Sequence, residues 1–359
     1  MRALRGTSAT VAALMFLSFL ALGSARGHAR AVLLLEEPYG VFGRVFPIGH
    51  SAVYLDDVCA ETPLKLRRCR AGELGAVITR NSGIGGYDWV AIPLVPYLYS
   101  VENPSEVPVH ADHKAVWSIR NRYHESHLLS LGKNVIAGNF VRGGWALLVG
   151  VSYERRIYAF SFETTHEQDE ELIERMNAGK NRSHFNYFYN NCSDFDRYVL
   201  NMYFPHNFRR SLFTDAAITT PKAISNKLVL YARKHPEMEL TVFEIPQVPG
   251  YRRKSHPNKG VAESLLTNGY AIPIALANPY VAGGIIVEYL VRGRFHPIPR
   301  NPQIIVPGDL MSLTADSSAG QNLDSAGIQA PGAAVTAPVE TQALSEIYSG
   351  LRETKASHE

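Results

Sequence analysis

The chain has 359 residues, 46% of them hydrophobic and 19% charged, the balance of an ordinary soluble core. Its formal net charge of +3 is too small to argue for nucleic acid. Basic clusters such as Arg209-Arg210 and Arg252-Arg253-Lys254 are local and form no stripe.

Arg2 and Arg5 precede an apolar run from Val11 to Leu22, and small residues follow at Gly23 to Ala25 and at Ala29 to Ala31. A basic start, a short apolar stretch and a small-residue cut site predict a secretory signal over residues 1–31, cut after Ala25 or after Ala31. The run falls short of the roughly 20 apolar residues of a spanning helix. Export would place the protein in the periplasm or outside the cell, with contact to a membrane surface left open. At the other end, residues 315–359 are rich in Ala, Ser, Gly, Thr, Pro and Gln and read as a disordered tail. Between them the chain divides into a first domain, residues 32–205, and an accessory α/β extension of unknown role, residues 206–314.

In chain order, Ala31 to Leu35 is a short apolar strand, and His50 to Leu55 is the next. Cys59 and Cys69 lie ten residues apart at the ends of a small polar loop. In an oxidising compartment a bridge between them leaves Cys192 as a free thiol. Gly75 to Thr79 is a strand, Asn81 to Gly86 a glycine-rich turn, and Tyr87 to Ile92 an extended segment stopped by Pro93. The glycines do not open a helix, so a phosphate loop is not indicated. Asp112 caps a helix running to about Leu131. Trp145 to Val151 and Arg156 to Phe162 read as a two-stranded hairpin. Thr165-His166-Glu167-Gln168 is a capping box opening a helix through Met176. Phe195, Tyr198, Val199 and Met202 share one helix face behind an Asn191 cap, which puts Cys192 in the first turn. Pro221 to Lys234 is a helix. Tyr270 to Leu290 is apolar but broken by Pro273, Asn278, Pro279 and Glu288, and reads as buried strands or a hydrophobic surface.

A thiol at a helix N-terminus is chemically distinctive. The unbonded amides and the helix dipole favour negative charge there, which raises the thiolate fraction and can hold an oxyanion. Asp194 would oppose this if it faced the sulfur. The thiol needs a base. His50, after Gly49 at the start of a strand, suits that role best, and His184, eight residues before Cys192, is the other candidate.

Gly49-His50-Ser51-Ala52-Val53-Tyr54-Leu55, followed 142 positions after His50 by Asn191-Cys192 opening a helix, resembles the permuted papain-like superfamily. That group includes lecithin:retinol acyltransferase-like proteins and permuted relatives of NlpC-type cell-wall peptidases. The chain is also similar to bacterial periplasmic domains of the Lnb type. The resemblance covers Ala31 to Pro205. It implies an α+β fold in which an antiparallel sheet packs on the helix bearing the cysteine. It implies Cys192 as nucleophile and His50 as general base. A third polar residue on the strand after the histidine would orient the ring; Asp88 and Asn81 both qualify, with Asp88 preferred. Tyr39 and Tyr189 are candidates near the oxyanion.

No cofactor and no metal are expected. His110, His113, His124 and His127 flank one predicted helix in too loose a pattern for zinc and read as surface histidines. The expected function is that of an exported thiol hydrolase or acyltransferase attacking an amide, ester or thioester of envelope material, either peptidoglycan peptide or an acylated lipid. The alternative is a non-catalytic envelope binding or scaffold protein that retains the fold.

Overall fold

The computed structural model describes residues 28–82, 84–131, 136–137, 140–141, 148–210, 215–250 and 254–311. Most of the expected signal, the expected tail, and Trp145 to Leu147 of the expected hairpin lie outside the described residues.

The elements run β1 (His28–Glu36), α1 (Gly40–Val45), β2 (His50–Leu55), β3 (Val58–Thr62), β4 (Lys65–Arg68), β5 (Ala76–Thr79), β6 (Val90–Pro93), α2 (Leu94–Tyr99), α3 (His113–His127), β7 (Ile136–Ala137), β8 (Phe140–Val141), β9 (Ile157–Thr165), α4 (His166–Ala178), α5 (Cys192–Tyr203), α6 (Pro221–Ala232), β10 (Thr241–Ile245), α7 (Val261–Thr267), α8 (Ala271–Ala277), α9 (Pro279–Glu288) and β11 (Gln303–Ile304). The fold is mixed α+β. Seven strands form one sheet in the order β11-β10-β9-β1-β2-β5-β6. Every pairing is antiparallel except β10 with β11, which makes the sheet mixed.

Strand β1 lies at the centre, with Leu33 opposite both Val53 of β2 and Phe160 of β9. The two-residue period sends alternate side chains into two cores. Ala31, Leu33 and Leu35 join Val53, Leu55 and Phe160 against Phe195, Val199 and Leu200 of α5. Val32 and Leu34 join Ala52 and Tyr54 on the opposite face, against Tyr97, Leu98 and Tyr153. The cysteine helix therefore packs on the sheet, as the sequence implied.

Three boundaries differ from expectation. The backbone of His28 to Ala31 is already paired with Thr165 to Phe162, so a domain start at residue 32 falls inside β1. The extension from residue 206 is not separate, because β10 and β11 continue the same sheet beyond β9. The described part of the expected hairpin's first strand, Leu148 to Val151, is not a strand. Gly150 takes φ +69, its amide donates to the Pro96 carbonyl, and Val151–Tyr153 becomes a 3₁₀ turn. Strand β9 pairs instead with β1 and β10. The Tyr270 to Leu290 segment is helical rather than extended. Asn278 caps α9 with its side-chain oxygen and Pro279 takes the first helical position.

Candidate active site

Strand β2 delivers His50 through a contact that glycine permits. Gly49 sits at φ +77, and a Cβ there would lie 2.2 Å from Asn258 Nδ2 and 2.3 Å from the Glu36 carbonyl oxygen. Asn258 Nδ2 fills that space and donates to the carbonyls of Glu36 and Ile48, each at 2.9 Å. His50 is the first residue of β2 and stands directly opposite the buried Glu36 of β1. Its Nε2 is hydrogen-bonded to Thr79 Oγ1 at 2.9 Å. The register that places Val53 against Ile78 puts Thr79 on the same sheet face as His50. With Nε2 so held, Nδ1 is the ring nitrogen left for the thiol.

Helix α5 delivers Cys192. Asn191 is extended, and its side-chain oxygen accepts from the Asp194 amide at 3.0 Å while the Asp194 carboxylate accepts from the Asn191 amide. This capping box stabilises the helix start by about 1 kcal/mol. Asn191 Nδ2 donates to the carbonyls of Tyr187 and Thr219, each at 3.0 Å. Ser193 Oγ and Ser51 Oγ share a buried 2.9 Å hydrogen bond that ties the first turn of α5 to β2. From the other side the buried Arg80 donates to Asn190 Oδ1 at 2.7 Å, and its guanidinium lies over the Phe195 ring at 5.1 Å. Cap, serine pair and arginine together hold the sulfur beside the imidazole.

The electrostatics follow from that placement. Burial alone would raise the Cys192 pKa. The His50 charge and hydrogen bond, the Ser51 backbone amide and the Ser193 hydroxyl outweigh it and bring the thiol down to about 7. Burial alone would lower the His50 pKa. The Cys192 thiolate and the Glu36 carboxylate reverse this and lift it to about 9. Between those values the pair is thiolate and imidazolium. The Asp194 charge does not oppose the thiolate as its position in sequence suggested. Its carboxylate accepts from Thr219 Oγ1 at 2.8 Å and pairs with Arg210 at 2.5 Å. One turn beyond Cys192 is Asp196, fully buried near Ser51. Burial, reinforced by the charge of Cys192, drives its pKa well above the carboxylate range, which favours the neutral acid.

The structure thus brings Cys192 and His50 together and does not bring Asp88 to them. The Asp88 carboxylate pairs with Arg80 at 2.5 Å, and its backbone amide donates to Asn181. Thr79 occupies the position expected for the third residue. Asn81 reaches that same hydroxyl with its Nδ2 at 3.3 Å, one step removed from the ring. His184 is exposed, its carbonyl accepting from Asn190. Tyr39 is engaged with the Arg155 guanidinium, and Tyr189 is largely exposed. Sequence reasoning missed Thr79, Ser51, Ser193, Arg80 and Asp196. Thr79 could have been found from strand parity once β2 and β5 were taken as neighbours.

Of the four helix-flanking histidines, His113 accepts from Trp117 Nε1, His127 pairs with Glu102, and His124 is buried, contrary to the surface reading. Among the described residues the sole grouping with metal-ligand proximity is Cys59, Cys69 and Glu73, and its two sulfurs are joined in a disulfide. That bridge leaves Cys192 as the free cysteine. Comparison of the chain with protein-family models, with curated proteins and with solved structures gave no match.

Proposed function

We propose that the protein is an exported cysteine hydrolase or acyltransferase with a permuted papain-like core, acting on an amide, ester or thioester of cell-envelope material. The observation that carries this reading is the placement of the Cys192 thiol within hydrogen-bond reach of the His50 imidazole, which favours the thiolate–imidazolium pair. The pair sits at a capped helix N-terminus, with the outer ring nitrogen held by Thr79. A buried thiol kept only for packing has no use for a base lifted to about 9 beside it.

In the proposed reaction the Cys192 sulfur attacks the carbonyl carbon, and the carbonyl π pair moves to oxygen. The Asn191 cap takes the Asp194 amide, and the first-turn amides of Cys192 and Ser193 are the donors assigned to the developing oxyanion. Collapse expels the leaving group, which takes the proton from His50 and leaves a thioester on Cys192. Neutral His50 then removes a proton from water or an acyl acceptor as it attacks the thioester. Product leaves and the thiolate–imidazolium pair is restored. Export and the two enzyme groups that the sequence resembles make peptidoglycan peptide and acylated lipid the substrates to screen.

The test is alkylation of the folded, unreduced protein by iodoacetamide across pH, mapped by mass spectrometry, together with trapping of an acyl-enzyme from a p-nitrophenyl ester. The reading requires a Cys192 midpoint near about 7, an upward shift in His50→Ala, and an acyl adduct on the Cys192 peptide. Alkylation only after unfolding, or no shift in His50→Ala, leaves the non-catalytic binding protein as the better reading.

A further inference from the structure

Helices α8 and α9 form an apolar hairpin that the described residues leave largely uncovered. No residue of α8 is buried, and Ala282 alone is buried in α9. Leu276 is 84% and Tyr280 89% exposed, and Ile272, Val287, Leu290 and Val291 are also exposed. A soluble helix shows one apolar stripe and one polar face. Helix α8, Ala271-Ile272-Pro273-Ile274-Ala275-Leu276-Ala277, has no polar face at all. A protein partner would cover one side of it, whereas a lipid phase surrounds it.

The turn between the helices fits the same environment, where every backbone polar group needs an internal partner. The Asn278 amide donates to the Ile274 carbonyl at 2.7 Å, and its side-chain oxygen accepts from the amides of Tyr280 and Val281. Seven and ten residues give lengths of about 10 and 15 Å. Such helices reach through about half of a bilayer's hydrocarbon core. Among the described residues no helix is long and apolar enough to cross a membrane.

The charges at the base are complementary to an anionic surface. Between Glu263 and Asp309 the only acidic residue is Glu288, and its carboxylate accepts from the Asp215 amide. Arg294 and Arg300 are exposed just beyond the hairpin, with Arg294 over the Tyr289 ring. The base is also hydrogen-bonded to α1 and, through Asp215, to the segment that anchors the cysteine cap. Asn268 Nδ2 donates to the Val45 carbonyl of α1, whose Val41 and Val45 are exposed. Asp215, which holds Glu288, accepts from Thr220, next to the Thr219 carbonyl that anchors Asn191.

We infer that the α8–α9 hairpin is a monotopic anchor that dips into one leaflet of an anionic lipid bilayer, with Arg294 and Arg300 at the headgroups. This does not depend on the thiol chemistry.

The test is flotation of the full chain with phosphatidylcholine vesicles containing phosphatidylglycerol, and with phosphatidylcholine vesicles alone. The expected result is binding to the anionic vesicles that weakens with salt. Leu276→Ala should lower that affinity at least about tenfold. Arg294→Ala and Arg300→Ala should each lower it about fivefold. These side chains are exposed, so the variants should keep the wild-type thermal transition. The Val11 to Leu22 run is common to every variant, so the differences isolate the hairpin. Cys192→Ala should float as the wild type does, which separates this inference from the proposed catalysis. Absence of binding to the anionic vesicles, or binding that Leu276→Ala leaves unchanged, overturns it. So does a dimer by light scattering that Leu276→Glu dissolves, because the face would then belong to a second copy of the chain.

Discussion

Replacing Thr79 with valine removes one hydroxyl and keeps the branched shape of the side chain. Thr79 is fully buried, so no water takes the place of its Oγ1 against His50 Nε2. In the charged state the imidazolium donates to that oxygen. A hydrogen bond to a charged group is worth about 1.5–3 kcal/mol, and one pKa unit corresponds to about 1.4 kcal/mol. His50 should therefore fall by about one to two units from its value of about 9. The thiol ionisation at about 7 is coupled to that charge, so a weakened imidazolium should move it upward and not downward. The window in which the ion pair exists narrows. Nuclear magnetic resonance of protein labelled with nitrogen isotope at histidine reads the His50 titration directly, and Thr79→Ser, which keeps the hydroxyl, is the control. A Thr79→Val midpoint equal to that of wild type refutes the role assigned to Thr79.

Burial and the Cys192 charge push the Asp196 carboxyl upward, so Asp196→Asn should leave the Cys192 alkylation midpoint at about 7; a fall of about one unit would mean that the native carboxyl is charged. Asp88→Asn removes the partner of the buried Arg80 and should lower stability in urea unfolding by about 1–3 kcal/mol. The His50 titration should be unmoved in that variant, and a shift as large as that of Thr79→Val would restore Asp88 as the orienting residue. Gly49→Ala should destabilise the fold by at least about 2 kcal/mol, through the positive φ and the contact with Asn258 and Glu36. An unchanged melting temperature would show that β2 tolerates a side chain there.

Local chemistry made much of this legible beforehand. The caps at Asn191, Thr165 and Asp112 each form as their short patterns require, because a cap is decided within four residues. His50 to Leu55 is the observed strand to the residue. The third member of the site was not legible, since it depends on which strand lies beside β2. Asp88 precedes β6, one strand beyond β5, and Arg80 draws its carboxylate away. The neutral hydroxyl of Thr79 carries no signature in sequence until strand parity is known. Of the two readings of Tyr270 to Leu290 the hydrophobic surface holds and the buried strands do not, for a different reason. Apolar content without an amphipathic period does not distinguish strand from helix, and Pro279 is a start signal when Asn278 stands before it.

The disulfide between Cys59 and Cys69 spans only ten residues, whereas Cys192 lies more than a hundred residues further along the chain. Loop-closure entropy favours the short loop by about 2 kcal/mol in an unfolded chain. During oxidative refolding the two early sulfurs therefore find each other well before either captures the third. Chain statistics alone thus favour the fold in which the late thiol is the reduced one.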